Sequence, residues 1–83
     1  MKNWSKVLKF KKYDILVQRL CNNEEGEFVS IVLRVPEGQL ITTASFEDSV
    51  EEADKAFDDY SKEDAQKIID SFEKMYLHEK KRQ

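Results

Sequence analysis

The sequence predicts an α+β domain: a short N-terminal helix, a three-stranded antiparallel meander and two C-terminal helices packed on one face of the sheet. Three observations carry that expectation. Apolar residues alternate along 27–35, turn-forming clusters at Asn22–Gly26 and Pro36–Gly38 separate neighbouring strand-like runs, and from Ser45 onward the apolar spacing lengthens to a helical period. Eighty-three residues make one domain, 1–83, with a single small core.

Taken in order, residues 3–11 read as a helix, with Asn3 as its N-cap and Trp4, Val7, Leu8 and Lys11 at i, i+3, i+4 and i+7. Tyr13–Cys21 reads as a first strand with untidy alternation, and Asn22-Asn-Glu-Glu-Gly26 as the turn after it. Glu27–Val35 is the clearest strand, with Val29, Ile31, Leu33 and Val35 on one face and Phe28, Ser30, Val32 and Arg34 on the other. Pro36-Glu37-Gly38 closes the next hairpin, because Pro presets φ and Gly accepts a left-handed backbone, and Gln39–Ala44 forms a third strand.

Two overlapping capping boxes follow, Ser45-x-x-Asp48 and Ser49-x-x-Glu52, and the helix start is placed at Ser45. Val50, Ala53, Phe57 and Tyr60 form its apolar side, while Glu47, Glu51, Asp54 and Asp58 follow one another at helical spacing on a different arc. Ser61-Lys-Glu-Asp64 caps a second helix whose apolar stripe is Ala65, Ile68, Ile69, Phe72, Met75 and Tyr76. Lys80, Lys81 and Arg82 stand at its end, where cations suit the macrodipole.

The side-chain inventory argues against several kinds of chemistry. Cys21 is the only cysteine, so no internal disulfide forms, which fits a reducing compartment and a cytoplasmic protein, the host cell cytosol being the expected location. No apolar run reaches the roughly 18 residues that span a membrane, and the basic start is not followed by a signal-peptide core. His78 is the only histidine, and no His or Cys pair has metal-ligand spacing. Two glycines make no phosphate-cradling loop, and the acids between Asp54 and Asp64 lack the order and central Gly of a calcium loop. The expectation is a non-enzymatic protein with no metal and no cofactor.

Charge is distributed unevenly. The net −3 divides into +5 over residues 1–23 (six bases against one acid), −10 over 24–64 (three against thirteen) and +2 over 65–83 (five against three). Acids in the first turns of a helix are stabilised by the macrodipole, which accounts for Glu47, Asp48, Glu51 and Glu52. Asp58 and Asp59 fall at the unfavourable end of their helix, Asp54 and Asp58 form a like-charge i,i+4 pair, and Glu63 and Asp64 follow closely. A row of carboxylates on a helix imitates a run of phosphates, and its natural complement is the basic groove of a nucleic-acid-binding protein. The basic segment Lys2–Lys12, interleaved with Trp4 and Phe10, carries the alternative of a nucleic-acid-associated or homo-oligomeric assembly module. The −10 segment in the same small body argues against direct nucleic-acid binding.

The order helix–three-strand meander–helices, the small acidic chain, the strand-turn-strand Ile31-Val-Leu-Arg-Val-Pro-Glu-Gly-Gln-Leu-Ile-Thr42 and the opening Asn3, Val7-Leu8, Phe10-Lys11, Tyr13 resemble the small type II-A anti-CRISPR proteins of phages and prophages. That resemblance implies a DNA mimic that occupies the PAM-reading groove of Cas9. It places contacts at Glu37, Gly38 and Gln39 in the turn between the second and third strands, and at Asp58, Asp59, Glu63 and Asp64 between the last two helices. Pro36 and the longer, Lys-Lys-Arg-ended last helix depart from the family pattern. Together with Glu47, Glu51 and Asp54 from the charge pattern, these make the expected partner-binding set. The expected partner is a basic protein surface; no membrane is involved, and a homodimer through an exposed sheet face is the third possibility.

Overall fold

A computed structural model describes residues 4–36 and 38–81, with side chains through 75. The order is β1 (Trp4–Lys9), β2 (Asp14–Asn22), β3 (Gly26–Val35), β4 (Gly38–Ser45), α1 (Val50–Asp59) and α2 (Lys62–Lys81). The four strands form one antiparallel sheet in sequence order β1-β2-β3-β4, and both helices cover the same face. The fold is α+β, but the expected N-terminal helix and three-stranded meander are overturned: the opening segment is a fourth strand.

The reason lies in Lys6. Trp4, Val7 and Leu8 fit a helical spacing, but Trp4, Lys6 and Leu8 alternate equally well once a lysine is allowed on the inner face. β1 pairs with β2 in continuous register, from Trp4 opposite Arg19 to Lys9 opposite Asp14. Lys6 lays its stem over the Phe57 ring, with Nζ 4.7 Å from the ring centroid, and donates a 2.6 Å hydrogen bond to the Phe57 carbonyl. A lysine that reads as surface in the sequence is therefore part of the packing. The Asn3 cap assigned to the expected helix lies outside the described residues.

The core forms where the inner faces of β2 and β3 meet the helices: Ile15, Val17, Val29, Leu33, Phe57, Ala65 and Ile69. Fully burying each large aliphatic here contributes about 1.5–3 kcal/mol. Register places Ile15 opposite Leu33 and Val17 opposite Ile31, so two cross-strand apolar pairs lie beneath the helices. The other face is open. There Val7, Leu16, Val32 and Ile41 line up across all four strands, and Val7 and Ile41 are exposed.

Of the two overlapping capping boxes, the second starts α1. Ser49 is the N-cap and accepts from the Glu52 backbone N–H at 3.3 Å. Ser45 instead ends β4, with its hydroxyl donating to the Glu25 carbonyl. That bond ties the end of the sheet to the β2–β3 turn.

Candidate protein-binding site

The acidic residues are positioned by three local devices. The first is an ion cluster under the start of α1. Arg19, on the inner face of β2 and 1% exposed, donates from Nε to Asp54 Oδ1 at 2.9 Å and from Nη2 to Glu27 Oε1 at 2.6 Å. Its Nη1 reaches the Leu20 carbonyl at 2.7 Å. Burial alone pushes the guanidinium toward neutrality, but the bonds and charges of Glu27 and Asp54 outweigh it and its pKa is raised. Glu27 is held below its ordinary value by hydrogen bonds, first from the cross-strand Cys21 thiol and then from Arg19. The same bond to Glu27 pushes the Cys21 thiol up. Asp54, placed by its spacing on a solvent-facing acidic arc, thus lies at the border of the apolar side and serves Arg19.

The second device is a backbone latch. The Glu27 N–H donates to the Glu47 carbonyl at 2.7 Å, and the Phe46 N–H donates to the Glu27 carbonyl at 2.8 Å. Gly26 makes the approach possible, since a Cβ there would stand 2.2 Å from the Glu47 carbonyl oxygen. Glu47 itself adopts φ +56°, a left-handed conformation unusual for a residue with a Cβ. It precedes α1 rather than belonging to it, so it does not share the helical arc of Glu51 and Asp58.

The third device is the α1–α2 junction. Ser61 and Asp64 form a capping box: Asp64 Oδ2 accepts from the Ser61 N–H at 3.0 Å, and Ser61 Oγ accepts from the Asp64 N–H at 3.4 Å. The bond from the Ser61 backbone, ahead of the hydroxyl contact, holds the Asp64 carboxyl below its usual range. Next to it the buried Tyr60 hydroxyl finds no partner among the described residues, and burial reinforced by the Asp64 charge pushes its pKa up to about 12. The negative end of α1 also meets a cation, Lys6 at the Phe57 carbonyl. Sequence spacing missed this, because the lysine comes from a strand 51 residues earlier.

Among the ten expected contact residues, Asp54 and Asp64 are thus engaged inside the fold. Glu47, Glu51, Asp58, Asp59 and Glu63 are exposed and make no ion pair among the described residues. Gly38 (φ +150°) and Gln39 are exposed at the start of β4, opposite Val35 and Arg34; Glu37 lies outside the described residues. The latch and the Ser45–Glu25 bond bring the β2–β3 turn against the entrance to α1. Exposed Glu24 and Glu25 therefore join Glu47, Asp48, Glu51 and Glu52 in one acidic patch. Sequence spacing does not single out the turn acids, because only tertiary contact brings them to the helix start. Gly38 and Gln39 are not part of this patch, since antiparallel register puts them at the opposite end of β4.

Two surface hollows accompany the site. One, about 380 Å³, lies between α2 and the inner face of β3–β4 and is lined chiefly by Ile31, Leu33, Leu40, Ile68, Phe72 and Met75. The other, about 330 Å³, lies at the β1–β2 turn beside Phe10, Lys12, Tyr13 and Glu73. In the second, the Tyr13 hydroxyl donates to Glu73 Oε2 at 3.3 Å beside Lys11 and Lys12. Among the described residues no three His, Cys, Asp or Glu side chains are grouped to hold a metal ion, and no helix is long and apolar enough to cross a membrane. No family model, curated protein or solved structure matches the chain.

Proposed function

We propose that this chain is a non-catalytic binding module of the cytosol whose acidic surface docks into a basic, nucleic-acid-binding groove of another protein. The observation that carries the reading is Glu47. Its side chain is exposed and unpaired among the described residues, while its backbone is left-handed, where a glycine would sit without strain. A glutamate there, in a patch with Glu24, Glu25, Asp48, Glu51 and Glu52, is accounted for by a use for the carboxylate outside the fold. Asp58, Asp59 and Glu63 extend the acidic surface beyond the end of α1.

Inhibition of a phage-defence nuclease such as Cas9 by DNA mimicry is the specific form of this reading. Its support is charge and the sequence similarities over 31–42 and the opening residues, since the four-stranded sheet departs from the helix–meander–helices order on which the resemblance also rests. The test is competition between the chain and a PAM-containing duplex for guide-loaded Cas9, across a salt series. Displacement of the duplex that weakens steeply with salt, and that is lost with Glu47→Lys and Glu51→Lys together, is the expected result. Absence of displacement at low salt would exclude the Cas9 form. Salt-independent binding would exclude electrostatic mimicry altogether.

A further inference from the structure

The two edges of the sheet are built differently. β1 carries Lys6 and Lys9, the kind of charge that keeps an edge strand from pairing with another chain. β4 carries none. Gly38–Phe46 is the longest uncharged run in a chain whose residues are 37% charged, and yet every residue of β4 is exposed. β4 pairs with β3 without a bulge from Gly38 opposite Val35 to Ser45 opposite Phe28, and Pro36 lies before the strand rather than within it. Its outer backbone groups are therefore an unguarded template. Beside that edge the hollow between α2 and β4 leaves Leu40 48% and Met75 69% exposed.

The geometry points to a second copy of this chain as the occupant: two β4 strands pair antiparallel about a two-fold axis normal to the sheet, giving one continuous eight-stranded sheet. Charge complementarity selects this partner and this direction. Among the described residues, one end of the sheet holds Lys9, Lys11, Lys12 and Arg34 against Asp14, and is net basic. The other end holds Glu24, Glu25, Glu47 and Asp48, all exposed. Antiparallel pairing sets the basic end of one copy beside the acidic end of the other, with Arg34, Glu47 and Asp48 nearest the joint. Parallel pairing sets like beside like.

Side-chain parity limits the register. Even-numbered residues of β4 face the helices, so the two-fold falls at Ile41 or Thr42, and a slip by one residue would mismatch the faces. In either case Ile41 packs against the partner strand on the open face. The two helix-side hollows merge into one, covering Leu40 on both sides. The interface is isologous, as a closed dimer requires.

The test is light-scattering mass and amide hydrogen exchange on the intact chain from roughly 1 to 200 μM, which brackets a micromolar dissociation constant. The expected mass rises toward twice 9.8 kDa with concentration, and β4 amides slow their exchange in parallel while β1 amides do not. Ile41→Lys with Thr43→Lys, two exposed positions on the open face, should hold the mass at that of one chain while far-UV circular dichroism is unchanged. A mass fixed at one chain, with β4 exchange independent of concentration, would overturn self-pairing in favour of a strand donated by another protein. A dimer whose β4 amides stay unprotected would equally overturn it.

Discussion

Arg19 occupies a core position opposite Val29, and its charge is balanced by Glu27 and Asp54 rather than by water. Removing one member of such a buried cluster is costly, because the groups left behind are desolvated and unpaired. Arg19→Met preserves volume but leaves the two carboxylates facing each other, and should cost about 2–4 kcal/mol at neutral pH. Adding Glu27→Gln and Asp54→Asn should recover much of that loss; urea unfolding of the three proteins measures both effects. The pH dependence has a definite sign. Glu27 is depressed in the folded state, so its contribution is present above the ordinary value of 4.5 and disappears as pH falls through the folded value. Wild-type stability should therefore drop below pH 4.5, with a shallower drop in Arg19→Met. Gly26→Ala is a sharper test of the latch. With φ at +72° and the Glu47 carbonyl in the way, it should cost more than about 2 kcal/mol. Glu47→Gly, by contrast, should leave stability unchanged within about 1 kcal/mol, because relief of the left-handed backbone offsets the added chain entropy. Partner affinity should fall in the same variant, which separates the side chain's use from its backbone's.

At the scale of elements, each helix end rests on a few polar contacts. Ser49→Ala and Ser61→Ala should each cost about 1 kcal/mol in denaturant unfolding, since each removes an oxygen that accepts from a helix N-terminal N–H. β3 was legible from its apolar alternation, β4 from the Pro-Gly turn before it, and α2 from its helical apolar period. β1 was not legible because its inner row includes Lys6, whose burial depends on a carbonyl that only α1 supplies. The start of α1 was ambiguous between two similar capping signals, Ser45-x-x-Asp48 and Ser49-x-x-Glu52. Tertiary contact decided it: Ser45 is used by the β2–β3 turn, which leaves Ser49 to cap. The same contact assembled the acidic patch, so Glu47 and Glu51 could be singled out from sequence while Glu24 and Glu25 could not. Asp54 was misplaced by pure periodicity, because a carboxylate beside the apolar side is invisible as such until its arginine partner is known.

Across the whole molecule, the net charge of −3 conceals a sheet that is basic at one end and acidic at the other. Exposed carboxylates that serve no internal bond can be reversed without unfolding the chain. Asp58→Lys with Asp59→Lys should change stability by less than about 0.5 kcal/mol, as surface substitutions do, while abolishing attraction to a basic groove. Thermal unfolding and partner affinity measured on the same preparation check the two halves of that statement. Survival of binding would identify Asp58 and Asp59 as a merely solvated surface and return the whole electrostatic role to the patch around Glu47.

The bond from Lys6 to the Phe57 carbonyl also sets an order of events at the ribosome. β1 emerges before the rest of the sheet, yet its anchoring lysine has no acceptor until a residue 51 positions later appears. The contact of Tyr13 with Glu73 spans a further nine positions. At about 5–20 residues per second, the nascent sheet spends seconds with its inner apolar face bare. The first strand of this sheet is thus secured only after α1 has been made, and its turn into β2 only after α2 has followed.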